Sequence, residues 1–205
     1  MQIKSYYLVA TGIILLAMIP WFISYEKKNK DARSLIIIAV MSALAVASRV
    51  AFIATPSVKP VIAIIMIAGY AFGPIEGFLC GSITALVSNF FFSQGPWTPW
   101  QMFAWGLGGL VAGLFYKVGE RRILSAILGF VTTMLIVGPV LDTSSVFMML
   151  SKLTWKSVLG IYLAGVPVNL TLAISTAVTL FLLSGPMLRK LNRVKIKYNF
   201  KESKS

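Results

Sequence analysis

A chain of 205 residues in which 58% are hydrophobic and 12% charged, with mean hydropathy +0.84, is not a soluble globular domain but an integral membrane protein. The formal net charge of +13 would direct a soluble chain to nucleic acid, but here the basic residues gather at the ends of apolar segments, where they report topology. One cysteine, Cys80, and no histidine exclude an intrachain disulfide, a cysteine metal cluster and the commonest general base.

The first apolar run, about 6–23, is long enough to cross a hydrocarbon core of roughly 30 Å. A cleaved signal peptide is the competing reading. The length of the run, Pro20-Trp21 near its end and the bulky charged EKKNKDAR that follows speak against it. A second span, 35–54, carries Ala39, Ala43 and Ala47 at intervals of four, which keeps these small side chains on one helical stripe open to close approach by another helix. Arg49 lies near its far end, where snorkelling to the interface is the expected arrangement and a watery cavity the alternative.

Pro56 and Pro60 bracket a connection to 61–72, a dozen apolar residues too short to span upright. The runs 77–92 and 99–116 carry Gly77/Gly81 and Gly109/Gly113 in small-xxx-small spacing, which predicts tight helix packing. A further core segment, 123–141, is expected to end at Gly138-Pro139. An amphipathic stretch, 142–156, then leads into the last long helix, 158–183, with a kink at Pro167.

Between two apolar runs stands SNFFFSQGPWTPWQMFAW, 88–105. Asn89, Gln94 and Gln101 offer uncharged donors and acceptors, and Trp97, Trp100 and Trp105 offer flat apolar faces with one N–H each. Gly95, Pro96 and Pro99 hold a loop that cannot continue a helix, which favours a structured pocket wall or lid. The other reading is an aromatic belt at headgroup level.

Fourteen of the nineteen Lys and Arg fall in the first loop, the 117–122 loop and the tail after 188. By the positive-inside rule these are cytoplasmic, so seven spans place the amino terminus outside, the carboxyl terminus inside and the tryptophan loop outside. No HExxH, glycine-rich phosphate loop or carboxylate deep in a span is present, so neither catalysis, a resident metal or cofactor, ATP hydrolysis nor ion coupling has visible machinery. Energy for any transport must come from a partner.

The alanine stripe, the block GYAFGPIEGFLCGSITALVSNFFFSQGPWTPWQMFAWGLGGLVAG, and AGVPVNLTLAISTAV with the basic ending LRKLNRVKIKY resemble the substrate-binding S components of energy-coupling factor (ECF) vitamin transporters over about 32–200. The block around QGPWTPWQMFAW is most similar to cobalamin-type members. The resemblance implies an all-α six-helix core, 32–188, preceded by an extra transmembrane helix, 1–31, and followed by a basic tail, 189–205. It further implies capture of a vitamin outside and docking through Ala39, Ala43 and Ala47 on a transmembrane T subunit driven by two ATPases. Where the family carries an acidic residue and a histidine in the last helix, this chain has Asn169 and Leu172, which bears on the ligand's identity.

The residues expected to meet ligand are Asn89, Gln94, Trp97, Trp100, Gln101, Asp142 and Asn169, Asn169 having a helix-to-helix hydrogen bond as its alternative role. With hydroxyls at Ser93, Thr98, Thr143 and Ser144 and no arginine cluster, the pocket predicts a large, neutral or zwitterionic, amide-rich molecule such as cobalamin. The stretches 93–98 and 142–156 are expected to fold over it. A membrane scaffold or assembly protein without a small ligand is the reading from another class.

Overall fold

The computed structural model describes residues 2–27, 32–55, 58–149 and 154–197. Pro56, Lys28, Lys30, Lys152, Lys201 and Lys204, used above for boundaries and charge counting, lie outside them. The described chain is helical: α1 (Gln2–Lys27), α2 (Ala32–Ala51), α3 (Val61–Phe72), α4 (Pro74–Phe92), α5 (Thr98–Leu114), α6 (Arg122–Met149) and α7 (Trp155–Lys197), with a 3₁₀ turn at Tyr116–Val118. Five of these, α1, α2, α4, α6 and α7, are long and apolar enough to cross a membrane. This is the expected all-α membrane architecture, with one helix ahead of six.

Short α3 is the centre. Val61 through Ala71 are all buried, as a helix apolar on every side must be, and α3 touches α2, α4, α5 and α7. The glycine pairs explain how so much backbone meets there. A Cβ on Gly77 would overlap the Gly109 carbonyl, one on Gly109 the Gly77 carbonyl, one on Gly81 the Trp105 carbonyl, and one on Gly69 again the Gly109 carbonyl. Lipid competes for every apolar surface, so backbone-to-backbone contact of this kind supplies the dispersion that holds the helices together. Gly73, at φ 109°, breaks the chain between α3 and α4, and its N–H closes α3 onto the Gly69 carbonyl (2.9 Å).

Three boundaries differ from those read in the sequence. The helix expected to stop at Gly138-Pro139 continues to Met149: a π turn at Thr133–Val137 widens the coil just where Pro139 cannot donate and its ring would crowd the preceding turn. The stretch 142–149 is therefore helix, and residues 150–153 of the amphipathic stretch lie outside the described residues. Third, α7 runs unbroken past the expected end at 183 and takes the basic segment 189–197 with it. Pro167 and Pro186 both lie inside it, and Thr171 Oγ1 donates to the Pro167 carbonyl (2.8 Å). At 43 residues it measures roughly 64 Å, about twice a hydrocarbon core.

The helix α1 lies against α4, α5 and α6. Trp21 stacks on Phe78 (5.3 Å between ring centroids), Trp100 Nε1 donates to Thr11 Oγ1 (3.2 Å), and Tyr7 Oη donates to the Pro96 carbonyl.

Candidate functional site

The carboxyl ends of α2, α4 and α6 meet the amino ends of α3, α5 and α7 at one end of the bundle, which we call the tryptophan end. Ser93, at φ 75°, turns the chain off α4, and Pro99 in the first turn of α5 starts the next helix, so the connection is only 93–97. A loop of five residues is a wall, too short for the cover expected from sequence.

Behind this wall is a network of neutral polar groups. Asn89, 1% exposed, donates through Nδ2 to Thr98 Oγ1 (3.0 Å) and Gln101 Oε1 (2.8 Å). Thr98 Oγ1 donates to Gln94 Oε1 (3.0 Å), and Gln94 Nε2 donates back to the Leu86 carbonyl (2.8 Å). Buried amides are costly unless paired, and here they satisfy one another, which fixes the turn between α4 and α5. Asn89, Gln94 and Gln101, predicted as site residues, are thus brought together.

The same network receives Arg49. Its Nη1 donates to Asn89 Oδ1 (2.8 Å) and Ser88 Oγ (2.5 Å), while the guanidinium lies 4.2 Å from the centre of the Phe92 ring and 5.0 Å from that of Trp105. The snorkelling expected from sequence is corrected: with Asn89 and Ser88 on the facing turns of α4, Nη1 finds its partners inside the bundle end, whereas Nε is buried without one. Lys59, from the α2–α3 connection, sets its Nζ 4.8 Å from the same Phe92 ring. Burial and the nearby Arg49 charge push the Lys59 ammonium below its ordinary range. The sequence reading of no arginine cluster stands, but Lys59 adds a second cation beside Arg49. The signal available in the sequence was Arg49 itself, a charge inside an apolar span; Lys59 and Phe92 carried none.

The tryptophans part company. Trp97 is exposed, its ring folded over Gly95 at the tip of the loop. Trp100 is buried between α1 and α6, 5.8 Å from Phe147, with its N–H used by Thr11. Truncating Trp100 to Ala is therefore expected to lower stability by about 3–5 kcal/mol, as for a large buried aromatic, read as a fall in thermal midpoint in detergent. Trp97→Ala is expected to leave that midpoint within the small range of exposed substitutions.

Asp142 and Asn169 form a second cluster. Asn169 Nδ2 donates to Asp142 Oδ2 (2.7 Å), and Thr143 and Tyr162 share a hydrogen bond (2.7 Å). Gly138 admits the Asn169 amide and Gly165 admits the Asp142 carboxylate, positions at which any Cβ would collide with them. This is the helix-to-helix bond anticipated as the alternative role of Asn169. Among the described residues no hydrogen bond joins this α6–α7 cluster to the Asn89 network.

The outer face of α2 carries a stripe of small residues beside the exposed Ile36, Val40 and Leu44. Ala39, Ala43 and Ala47 are exposed, whereas Ile38, Met41, Ser42, Ala45 and Val46 turn inward, Ser42 Oγ donating to the Cys80 carbonyl (3.3 Å). No cluster of His, Cys, Asp or Glu suited to a metal occurs among the described residues.

Comparison with known proteins decides the family. The family model described as "ECF-type riboflavin transporter, S component" matches residues 29–189, which spans α2 to α7. The chain belongs to that family. It is a family of transporter subunits rather than enzymes, and its S-component description agrees with the resemblance read in the sequence. The description names riboflavin where the resemblance pointed to cobalamin. This S component is also similar to two UPF0397 proteins, 31% identical over 100 residues in Vibrio atlanticus (strain LGP32) and 30% over 104 residues in Aliivibrio fischeri (strain MJ11). These alignments cover 46% and 48% of this chain and 54% and 56% of the relatives, so the chain spans about half the length of the relatives it matches. No solved structure matches it.

Proposed function

We propose that this S component is the substrate-capturing membrane subunit of an ATP-driven ECF-type importer. It takes a vitamin-type ligand at the tryptophan end and docks through α2 on a transmembrane T subunit carrying two ATPases. The observation that carries the reading is the Asn89–Thr98–Gln101 network, a set of uncharged donors and acceptors built into one end of an otherwise apolar bundle of this family. The exposed Ala39, Ala43 and Ala47 face supports the docking half, since small side chains let a second helix approach closely. The bias of fourteen in nineteen basic residues supports an outward tryptophan end and a cytoplasmic carboxyl terminus.

Cobalamin is the ligand we put first. Its many amide side groups suit the exposed Ser93 and Gln94 at the rim of the network, and Trp97 offers an exposed aromatic surface beside them. Riboflavin, which the family description names, comes second. The test is equilibrium binding of radiolabelled cobalamin, riboflavin, folate and thiamin to the purified chain. Saturable binding of cobalamin is expected. Binding of one of the other three with none of cobalamin overturns the ligand and leaves the capture role standing; no binding of any overturns the role. In the same assay Trp97→Ala is expected to weaken binding by about 2 kcal/mol, the scale of an aromatic anchor, at unchanged thermal midpoint.

A further inference from the structure

Arg49 and Lys59 present a chemical problem that the neutral network does not solve. Two cations converge on one face of the bundle end, over the same Phe92 ring, and among the described residues neither pairs with a carboxylate. Charges partly withdrawn from water, as these half-buried side chains are, lose part of their hydration without a counter-charge to replace it, and a neighbour of like sign adds to the cost. The compensation on hand is weak: one amide oxygen, one hydroxyl and the faces of Phe92 and Trp105.

The guanidinium is also used lopsidedly. Both of its hydrogen bonds leave from Nη1, whereas Nε is shielded from water with no partner. That leaves the Nε–Nη2 edge, the fork that takes two oxygens of a carboxylate or phosphate side by side. If Arg49 served only to clamp α2 to α4, Nη1 alone would do so, and Lys59 at the same ring would add repulsion without gain.

We propose that Arg49 and Lys59 form an oxyanion site at the tryptophan end, recognising a phosphate or carboxylate group on the captured ligand. Nη1 stays on Asn89 and Ser88 and holds the guanidinium in register, the free edge faces the anion, and Lys59 supplies the second charge. The ring of Phe92 touches both cations and would shift to let the group reach them. The depressed Lys59 pKa has the sign expected of a cation lacking its counter-charge. This inference rests on the ligand-capture reading and narrows it: the ligand carries at least one negative group. A corrinoid with its nucleotide-loop phosphodiester meets that requirement, and so does a phosphorylated flavin.

The test uses the full chain in detergent and two pairs of probes, FMN with riboflavin, which differ in the phosphate alone, and cobalamin with cobinamide, which lacks the whole nucleotide loop with its phosphodiester. In at least one pair the phosphate-bearing member is expected to bind about tenfold more tightly or better, consistent with a charge-assisted bidentate contact. Lys59→Gln should abolish that preference while leaving the phosphate-free member unchanged, Arg49→Gln should abolish it while also weakening the phosphate-free member through the released Asn89 and Ser88, and Arg49→Lys should restore part of it. Lys59→Gln leaves the Asn89 and Ser88 bonds intact, so it reads the charge even if Arg49→Gln disturbs the fold. Equal binding within both pairs, or equal losses for both members in Lys59→Gln, overturns the site.

A parallel titration with inorganic phosphate, followed by tryptophan fluorescence because Trp105 lies beside Arg49, separates the two readings. A saturable response lost in Lys59→Gln upholds the oxyanion site even if no vitamin binds, in which case the capture reading falls instead. No saturable response and no preference within a pair overturns the oxyanion site even if riboflavin or cobinamide binds well.

Discussion

Gly109→Leu is expected to leave no folded protein. The position is enclosed by backbone on two sides, since a Cβ there would overlap the Gly77 carbonyl, and Gly109's own carbonyl fills the space a Cβ would need on Gly69 and Gly77. Backbone cannot rotate aside as a side chain does, so the cost should exceed the about 1–3 kcal/mol of ordinary overpacking. It falls at the contact of α3, α4 and α5 on which the bundle centres. The measurement is the monodisperse fraction on size exclusion after detergent extraction, with Gly12→Leu as the control because nothing lies within 4 Å of a Cβ at Gly12. If Gly109→Leu elutes like the control, the packing described for α3 to α5 is wrong.

The second large effect is expected at Ala43→Trp. Ala43 faces outward on α2, so the indole meets nothing inside the chain, and folding and ligand binding by the isolated subunit should persist. Association with the T subunit should not. Added volume at a close helix contact costs about 1–3 kcal/mol, which corresponds to about a five- to 150-fold loss of complex, read as co-purification with the T subunit and as uptake in reconstituted vesicles. Normal co-purification and normal uptake would remove α2 from the docking surface.

What the sequence made legible follows from which forces act locally. The glycine pairs at 77/81 and 109/113 could be read because spacing along one helix fixes a face, and lipid leaves close approach as the main use for such a face. The spacing of Ala39, Ala43 and Ala47 likewise fixed one face, which lies outward on α2, while its use as a docking surface is a proposal. Helix ends were less legible: Gly138-Pro139 is a stop signal in water, whereas in this bundle a π turn and the Asn169 amide fitting against Gly138 carry the helix through. The site was legible in part. Asn89, Gln94 and Gln101 lie within one turn-and-helix stretch, so their meeting was a short-range matter. Lys59 joining Arg49 over Phe92 depends on three separate elements, and no spacing rule connects them. Trp100 looked equivalent to Trp97 in the sequence, but α1, nearly ninety residues away, claims its N–H.

The contact of α1 with the tryptophan corner sets a boundary that a six-helix bundle lacks. Thr11 on the Trp100 indole, Tyr7 on the Pro96 carbonyl and Trp21 on Phe78 place α1 as a partition between the wall loop and the surrounding acyl chains. A lipid tail filling that flank could replace the apolar contact of Ile14 and Met18 but could accept no hydrogen bond from the indole. Shortening the chain to its six-helix core would thus exchange a polar, fixed border for a fluid one, leaving the Pro96 carbonyl and the Trp100 N–H without the partners that α1 supplies.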